Sequence, residues 1–110
     1  MSAIRDGWSV KYDAGRDNGI ISYEGEHAAP FEVEFQFQHG PVQDNGINGI
    51  QNEEVLELEI LRLKALNERF PCRENSIAIT HIETALLWLR ERTRVRQTQG
   101  VEGVNVAHVS

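Results

Sequence analysis

The stretch Arg90-Glu-Arg-Thr-Arg-Val-Arg96 carries four arginines in seven residues and is the most informative local feature of the chain. On a helix, Arg92 and Arg96 share one face and Arg90 and Arg94 lie on nearly the opposite one. Arg92 and Arg96 also continue the stripe of Ile82, Ala85 and Leu89, so they emerge where an apolar face runs out. A guanidinium pair at the edge of a core needs an anion, either a protein carboxylate or a bound phosphate. Arginines near a helix C-terminus also complement the dipole and can pair with Glu91 or an acidic neighbour. Spacing leaves both readings open.

Asn75 follows Arg73-Glu74 at a break between two helical segments. There its side chain and free backbone N–H groups can hold an anion or read a base edge, or Asn75 can simply cap a helix. Trp88, between Leu87 and Leu89, reads as a core or subunit-interface residue rather than a stacking platform. Catalytic patterns are lacking. His27, His39, His81 and His108 are scattered without metal-ligand spacing, and neither a Ser–His–Asp arrangement nor a Walker loop is present. Cys72, after a proline and before Arg73, reads as a small buried thiol. The sequence therefore predicts no enzyme, no metal and no cofactor.

The elements that must position these groups fall into two parts. Trp8–Tyr12 and Ile20–Tyr23 are short β-type runs separated by the turn signal Asp17-Asn-Gly19. Phe31–Gln38 alternates strictly, with Phe31, Val33, Phe35 and Phe37 on one face and Glu32, Glu34, Gln36 and Gln38 on the other. Its aromatic face is expected to cover a core. The loop Asp44-Asn-Gly-Ile-Asn-Gly49 follows, rich in residues that accept positive φ. Asn52 is the expected N-cap of a first helix, with Glu53 and Glu54 at the positive end of its dipole. The apolar side of that helix, Val55, Leu56, Leu58, Ile60, Leu61, Leu63 and Leu66, is broader than one neighbour can cover. Phe70-Pro71-Cys72 breaks it, Asn75 or Ser76 caps the second helix, and that helix runs to about Gln97. The fold expected is α+β: a small N-terminal antiparallel β-sheet followed by two long antiparallel helices, in an oligomer. A single domain over 1–110 divides into a β and loop part (1–50), a helical hairpin (52–97) and an extended tail (98–110) that packs on a neighbour.

Composition bounds the rest. The chain has 110 residues, 25% of them charged, and a net charge of −6, which argues against coating a DNA or RNA polymer. Residues 1–59 hold three basic groups against twelve acidic ones, whereas residues 60–97 hold eight basic against four acidic. Nine of the eleven basic residues are arginine, which binds phosphate bidentately and stacks on flat rings. No apolar run approaches a membrane span, the start lacks a secretory h-region, and one cysteine makes no disulfide framework. These features predict a small cytoplasmic protein.

Several segments, taken in order, resemble a known family: Phe35–Val42, Asn45–Ile50, Phe70–Asn75, Ala85–Leu89, Arg92–Arg96 and Gly100–Gly103. Over roughly residues 31–103 they are similar to the phage Thoeris anti-defence sponge proteins, which are related to the phage anti-CBASS sponges. The resemblance implies sequestration of glycocyclic ADP-ribose, a cyclic ADP-ribose isomer used as the Thoeris signal, without cleavage. By motif position, Asn75, Arg92 and Arg96 match ligand-binding residues, with Arg73 beside them. The loop holding Asn45 and Asn48 is similar to one lining the pocket. Some members place an aromatic about ten residues before the position of Asn75; Ala65 stands there in this chain, and Phe37 is the candidate to cover the base. Some members form dimers or larger oligomers and also bind cyclic di- or trinucleotides at separate sites, for which Arg90 and Arg94 are the candidate charges here. The alternatives are a cyclic-oligonucleotide sponge against CBASS, an enzyme that opens the same signal, and an oligomeric adaptor whose arginines meet an acidic partner.

Overall fold

The computed structural model describes residues 5–98, and the chain divides into two compact units, one ending at Ile50 and the other starting at Gln51. The expected tail lies almost wholly outside the described residues. Among those residues, no helix is long and apolar enough to cross a membrane.

The first unit is a three-stranded antiparallel sheet in the order β1 (Trp8–Asp13), β2 (Asn18–Tyr23), β3 (Phe31–Gln36). Register places Trp8, Tyr23 and Phe31 in one row, Val10, Ile21 and Val33 in the next, and Tyr12, Gly19 and Phe35 in the third. Because side chains alternate along each strand, these rows make one apolar face. Tyr23 is buried at one end of it, against Trp8 at 5.3 Å and Phe31 at 6.0 Å between ring centroids, and its hydroxyl accepts the His27 N–H.

The aromatic face of β3 does not cover a core as expected: Phe31 and Val33 are 48% and 47% exposed. The reason is architectural. Among the described residues the one helical segment of this unit, α1 (Val42–Asn45), is a single turn that packs on none of the strands, so they give the sheet no second layer within its own unit. β3 also stops two residues short of the expected end. The Phe37 N–H turns to the Asp17 carbonyl at 2.9 Å, and Phe37 then forms an isolated parallel bridge with Ile50. That bridge requires Gly49, because a Cβ there would overlap the backbone of Phe37 and Gln36. Gly46, at φ 67°, ends α1 in a conformation that favours glycine.

The second unit is an antiparallel hairpin of α2 (Asn52–Arg69) and α3 (Arg73–Thr98). Its core is Ile60, Ile79 and Leu86, with Leu56, Leu63 and Ile82 packed around them. The N-cap of α2 is Gln51 rather than Asn52, and its backbone N–H donates to the Glu54 carboxylate at 2.8 Å. The second helix starts at Arg73, earlier than a cap at Asn75 or Ser76 would allow. Cys72 takes that role: its Sγ accepts the Asn75 N–H at 3.4 Å and its carbonyl accepts the Ser76 N–H at 3.3 Å. The expectation of a buried thiol is therefore corrected; Cys72 is exposed, at the hairpin tip where it caps the start of α3. Asn67 ties that tip together, accepting the Cys72 N–H at 2.9 Å and donating to Ser76 Oγ.

Ion pairs between Arg90 and Glu57 and between Lys64 and Glu83 align the two helices, with Thr93 Oγ1 donating to Glu53 at 3.2 Å further along. The over-broad apolar side of α2 is visible as exposed Leu58 and Leu61, matched by Leu87 and Trp88 on α3. Trp88, 71% exposed, is thus not a core residue of its own chain.

Candidate functional site

At the hairpin tip, Asn75 is half-buried in the first turn of α3. Its backbone N–H is used by Cys72, but its side-chain amide has no hydrogen-bond partner among the described residues. Arg73, one turn edge away, is exposed and has no ion pair among the described residues. A carboxamide and a guanidinium left unspent at the start of a 26-residue helix form a donor-rich surface for an anion.

The four clustered arginines fare differently from one another. Arg90 is committed to Glu57. Arg94 meets the Glu91 carboxylate through Nε at 2.9 Å and Nη2 at 2.6 Å, a forked contact that pushes the Arg94 pKa up and holds Glu91 below the ordinary carboxylate range. Arg96 is 8% exposed and already engaged. Arg92 is exposed and without an ion pair among the described residues. Helical periodicity places Arg92 and Arg96 on one side, but their burial separates them. Asn75 and Arg92 stand seventeen residues apart on α3, about 26 Å at the helical rise. One hairpin does not present both to the same small molecule.

In the sheet unit, the loop amides are largely used to build the loop. Asn48 Oδ1 accepts the His39 N–H and Asn48 Nδ2 donates to the His39 carbonyl, both at 2.8 Å. Gln38 accepts the Asn48 N–H and donates to the carbonyls of Gly40 and Gly46, while Asn45 Nδ2 donates to the Pro41 carbonyl. Asn45 and Asn48 thus shape the segment, and its outermost apolar side chain is Ile47. Phe37 is half-buried and sits edge-on to Tyr12 at 6.3 Å.

Sequence reasoning missed one cluster. Asp17 Oδ1 accepts the Tyr12 hydroxyl at 2.6 Å and its Oδ2 lies 2.9 Å from His39 Nδ1. The hydrogen bond from Tyr12, then that from His39, holds Asp17 below the usual carboxylate range, and the same contact raises Tyr12. His39 and Asp17 are 22 residues apart, so no local motif marks them. Among the described residues, no group of three or more His, Cys, Asp or Glu side chains is arranged to hold a metal ion.

A strand-fed loop followed by a helical hairpin, with an arginine-rich α3, is the setting of a known domain. Residues 32–94 match the Acb2/Tad1 hairpin domain, and the chain belongs to that family. It is similar to "Thoeris anti-defense 1" of Bacillus phage SBSphiJ7, with 49% identity over 70 residues, covering 63% of this chain and 49% of that protein. The chain thus spans about half the length of the curated relative it matches. Strands β1 and β2 precede the matched residues.

Proposed function

We propose that this chain is a phage anti-defence sponge that binds glycocyclic ADP-ribose and withholds it intact from Thoeris immunity in the host cytoplasm. The family membership and the name of the relative support the pathway. The observation that carries the ligand class is the selective availability of polar groups. Of the clustered arginines, Arg90, Arg94 and Arg96 are engaged with neighbours, whereas the Arg92 guanidinium, like the Asn75 amide and the Arg73 guanidinium at the hairpin tip, is not paired among the described residues. A cyclic dinucleotide-like ligand offers phosphates to the guanidiniums and base or ribose edges to the amide. Binding by such groups needs no proton transfer or bond cleavage, which is the behaviour of a sponge.

The separation of Asn75 and Arg92 adds a requirement for self-association. Two copies with antiparallel α3 helices bring Asn75 of one toward Arg92 of the other, and the exposed Leu58, Leu61, Leu87 and Trp88 supply apolar surface for such a contact. Arg96 then buttresses the site rather than facing solvent. A second site for cyclic di- or trinucleotides at Arg90 and Arg94 operates only if phosphate displaces Glu57 and Glu91. A sponge for the cyclic oligonucleotides of CBASS is the second reading, favoured by the same arginine-rich helix.

The test mixes purified protein with glycocyclic ADP-ribose, removes free ligand, denatures the protein by heat and identifies what is released by mass spectrometry. Intact ligand, about one per site, is the expected result. A converted ligand overturns the sponge in favour of an enzyme. Absence of any ligand, with cyclic oligonucleotides captured instead, moves the protein to the second reading, and capture of neither leaves the adaptor.

A further inference from the structure

Tyr12, Asp17 and His39 come from three places in the sheet unit: strand β1, the β1–β2 turn and the segment after β3. Asp17 adopts φ 52°, a left-handed conformation that a non-glycine residue holds only when its surroundings secure it. Its carbonyl accepts the Phe37 N–H at 2.9 Å, and the Gln36 amide crosses to the Arg16 carbonyl at 2.9 Å. The Asp17 side chain faces Tyr12 on one oxygen and His39 on the other. An ionised carboxylate only accepts hydrogen bonds, so His39 Nδ1 must carry the hydrogen in this contact. Asn48 meanwhile grips both backbone polar groups of His39. His39 is therefore held by its ring from the β1–β2 turn and by its backbone from the far end of its own loop.

We infer that Asp17 is a positioning residue which, acting through the His39 ring, presets the shape of the 39–49 loop. Asp17 lies before the matched family domain and His39–Gly49 lies inside it, so the N-terminal strands supply the anchor for a loop of the family domain. The relevance of this anchor to ligand rests on reading the Asn45–Gly49 loop as pocket lining; the anchor itself is tested without ligand.

The experiment compares the full chain with Asp17→Ala and Asp17→Asn by NMR. It follows hydrogen exchange at the amides of His39 and Asn48, exchange at β1–β2 strand amides, and the ring-nitrogen shifts of His39. In the wild type the neutral ring is expected as the Nδ1–H tautomer. Asp17→Ala is expected to move it to Nε2–H and to speed exchange of the His39 and Asn48 amides roughly tenfold, with the strand amides unchanged. Unchanged loop exchange with the Nδ1–H tautomer retained overturns the proposal. Equal loss of protection in strands and loop also overturns it, because Asp17 would then serve folding alone. If Asp17→Ala does not fold, Asp17→Gly, which removes the same carboxylate and adopts φ 52° freely, carries the same readouts. Affinity for glycocyclic ADP-ribose, measured on the same variants, is a separate outcome: a loosened loop with unchanged affinity upholds the role of Asp17 and removes the loop from the pocket.

Discussion

Arg90 of α3 and Glu57 of α2 form an ion pair across the hairpin although 33 residues separate them in the chain. Both side chains are about half exposed, so water screens the pair and its net contribution is small. Arg90→Ala is expected to lower stability by less than about 1 kcal/mol, read from the thermal midpoint, and the loss should shrink as salt rises. A penalty of several kcal/mol would mean that Arg90 serves the hairpin core rather than its surface.

Asn75→Ala and Arg92→Ala should each weaken binding of glycocyclic ADP-ribose by about tenfold or more, because each removes a donor with no other partner among the described residues. Calorimetry on the purified variants reads this directly. Arg94→Ala, whose guanidinium is committed to Glu91, should leave the same affinity within about twofold. An inverted order, with Arg94 dominant, would place the ligand on the other side of α3.

Replacing the cap of α3 offers a gain. Cys72 accepts the Asn75 N–H through sulfur, a weak acceptor, and serine is a preferred N-cap. Cys72→Ser is expected to raise stability by up to about 1 kcal/mol in urea denaturation. In the wild type the thiol should also react stoichiometrically with a thiol reagent before unfolding, as an exposed cysteine does.

Acid and alkali should act on the sheet unit through the same contact. The folded pKa of Asp17 is lowered by the hydrogen bonds from Tyr12 and His39, so its stabilising effect is present above the unfolded carboxylate value, about 4, and is lost as pH falls through the lower folded value. Tyr12 is raised by the same bond, so its effect is present below about pH 10 and is lost as pH climbs through the higher folded value. Denaturation of wild type and Asp17→Asn across pH should show an advantage for wild type near neutrality that disappears in strong acid. Parallel curves would show that the contact does not couple to folding.

Gly49→Ala should destabilise the sheet unit by about 1–3 kcal/mol, since the added methyl meets backbone that cannot swing aside. Circular dichroism and thermal denaturation would register the loss. A neutral effect would show that the Phe37–Ile50 bridge is dispensable.

The strict alternation of Phe31–Gln36 and the turn at Asp17-Asn-Gly19 made the sheet readable, because a period of two and a turn signal are local properties. The hairpin was readable from its apolar spacing and from Pro71. What covers a strand is not local: alternation assigns Phe31 and Val33 to one face but says nothing of whether a second layer meets it. Cys72 is not legible as a cap because sulfur is an uncommon cap acceptor, whereas Asn75 and Ser76 are common cap residues. The contrast between exposed Arg92 and buried Arg96 is not legible because periodicity gives an angle around the helix, not how deeply a side chain at that angle is covered. The Asp17–His39 contact depends on strand register bringing distant residues together, and neither residue has a spacing that marks it.

The self-bonded loop after β3 has a consequence for how freely this surface can change. Its path is set by glycines at 46 and 49, by the amides of Gln38, Asn45 and Asn48, and by backbone groups, whereas Ile47 at its outer edge is 85% exposed. Shape and outward chemistry are therefore encoded at different positions. Substitutions at Ile47 can vary what the loop offers to its surroundings without redrawing the loop, so a lineage can explore new partners there at little structural risk.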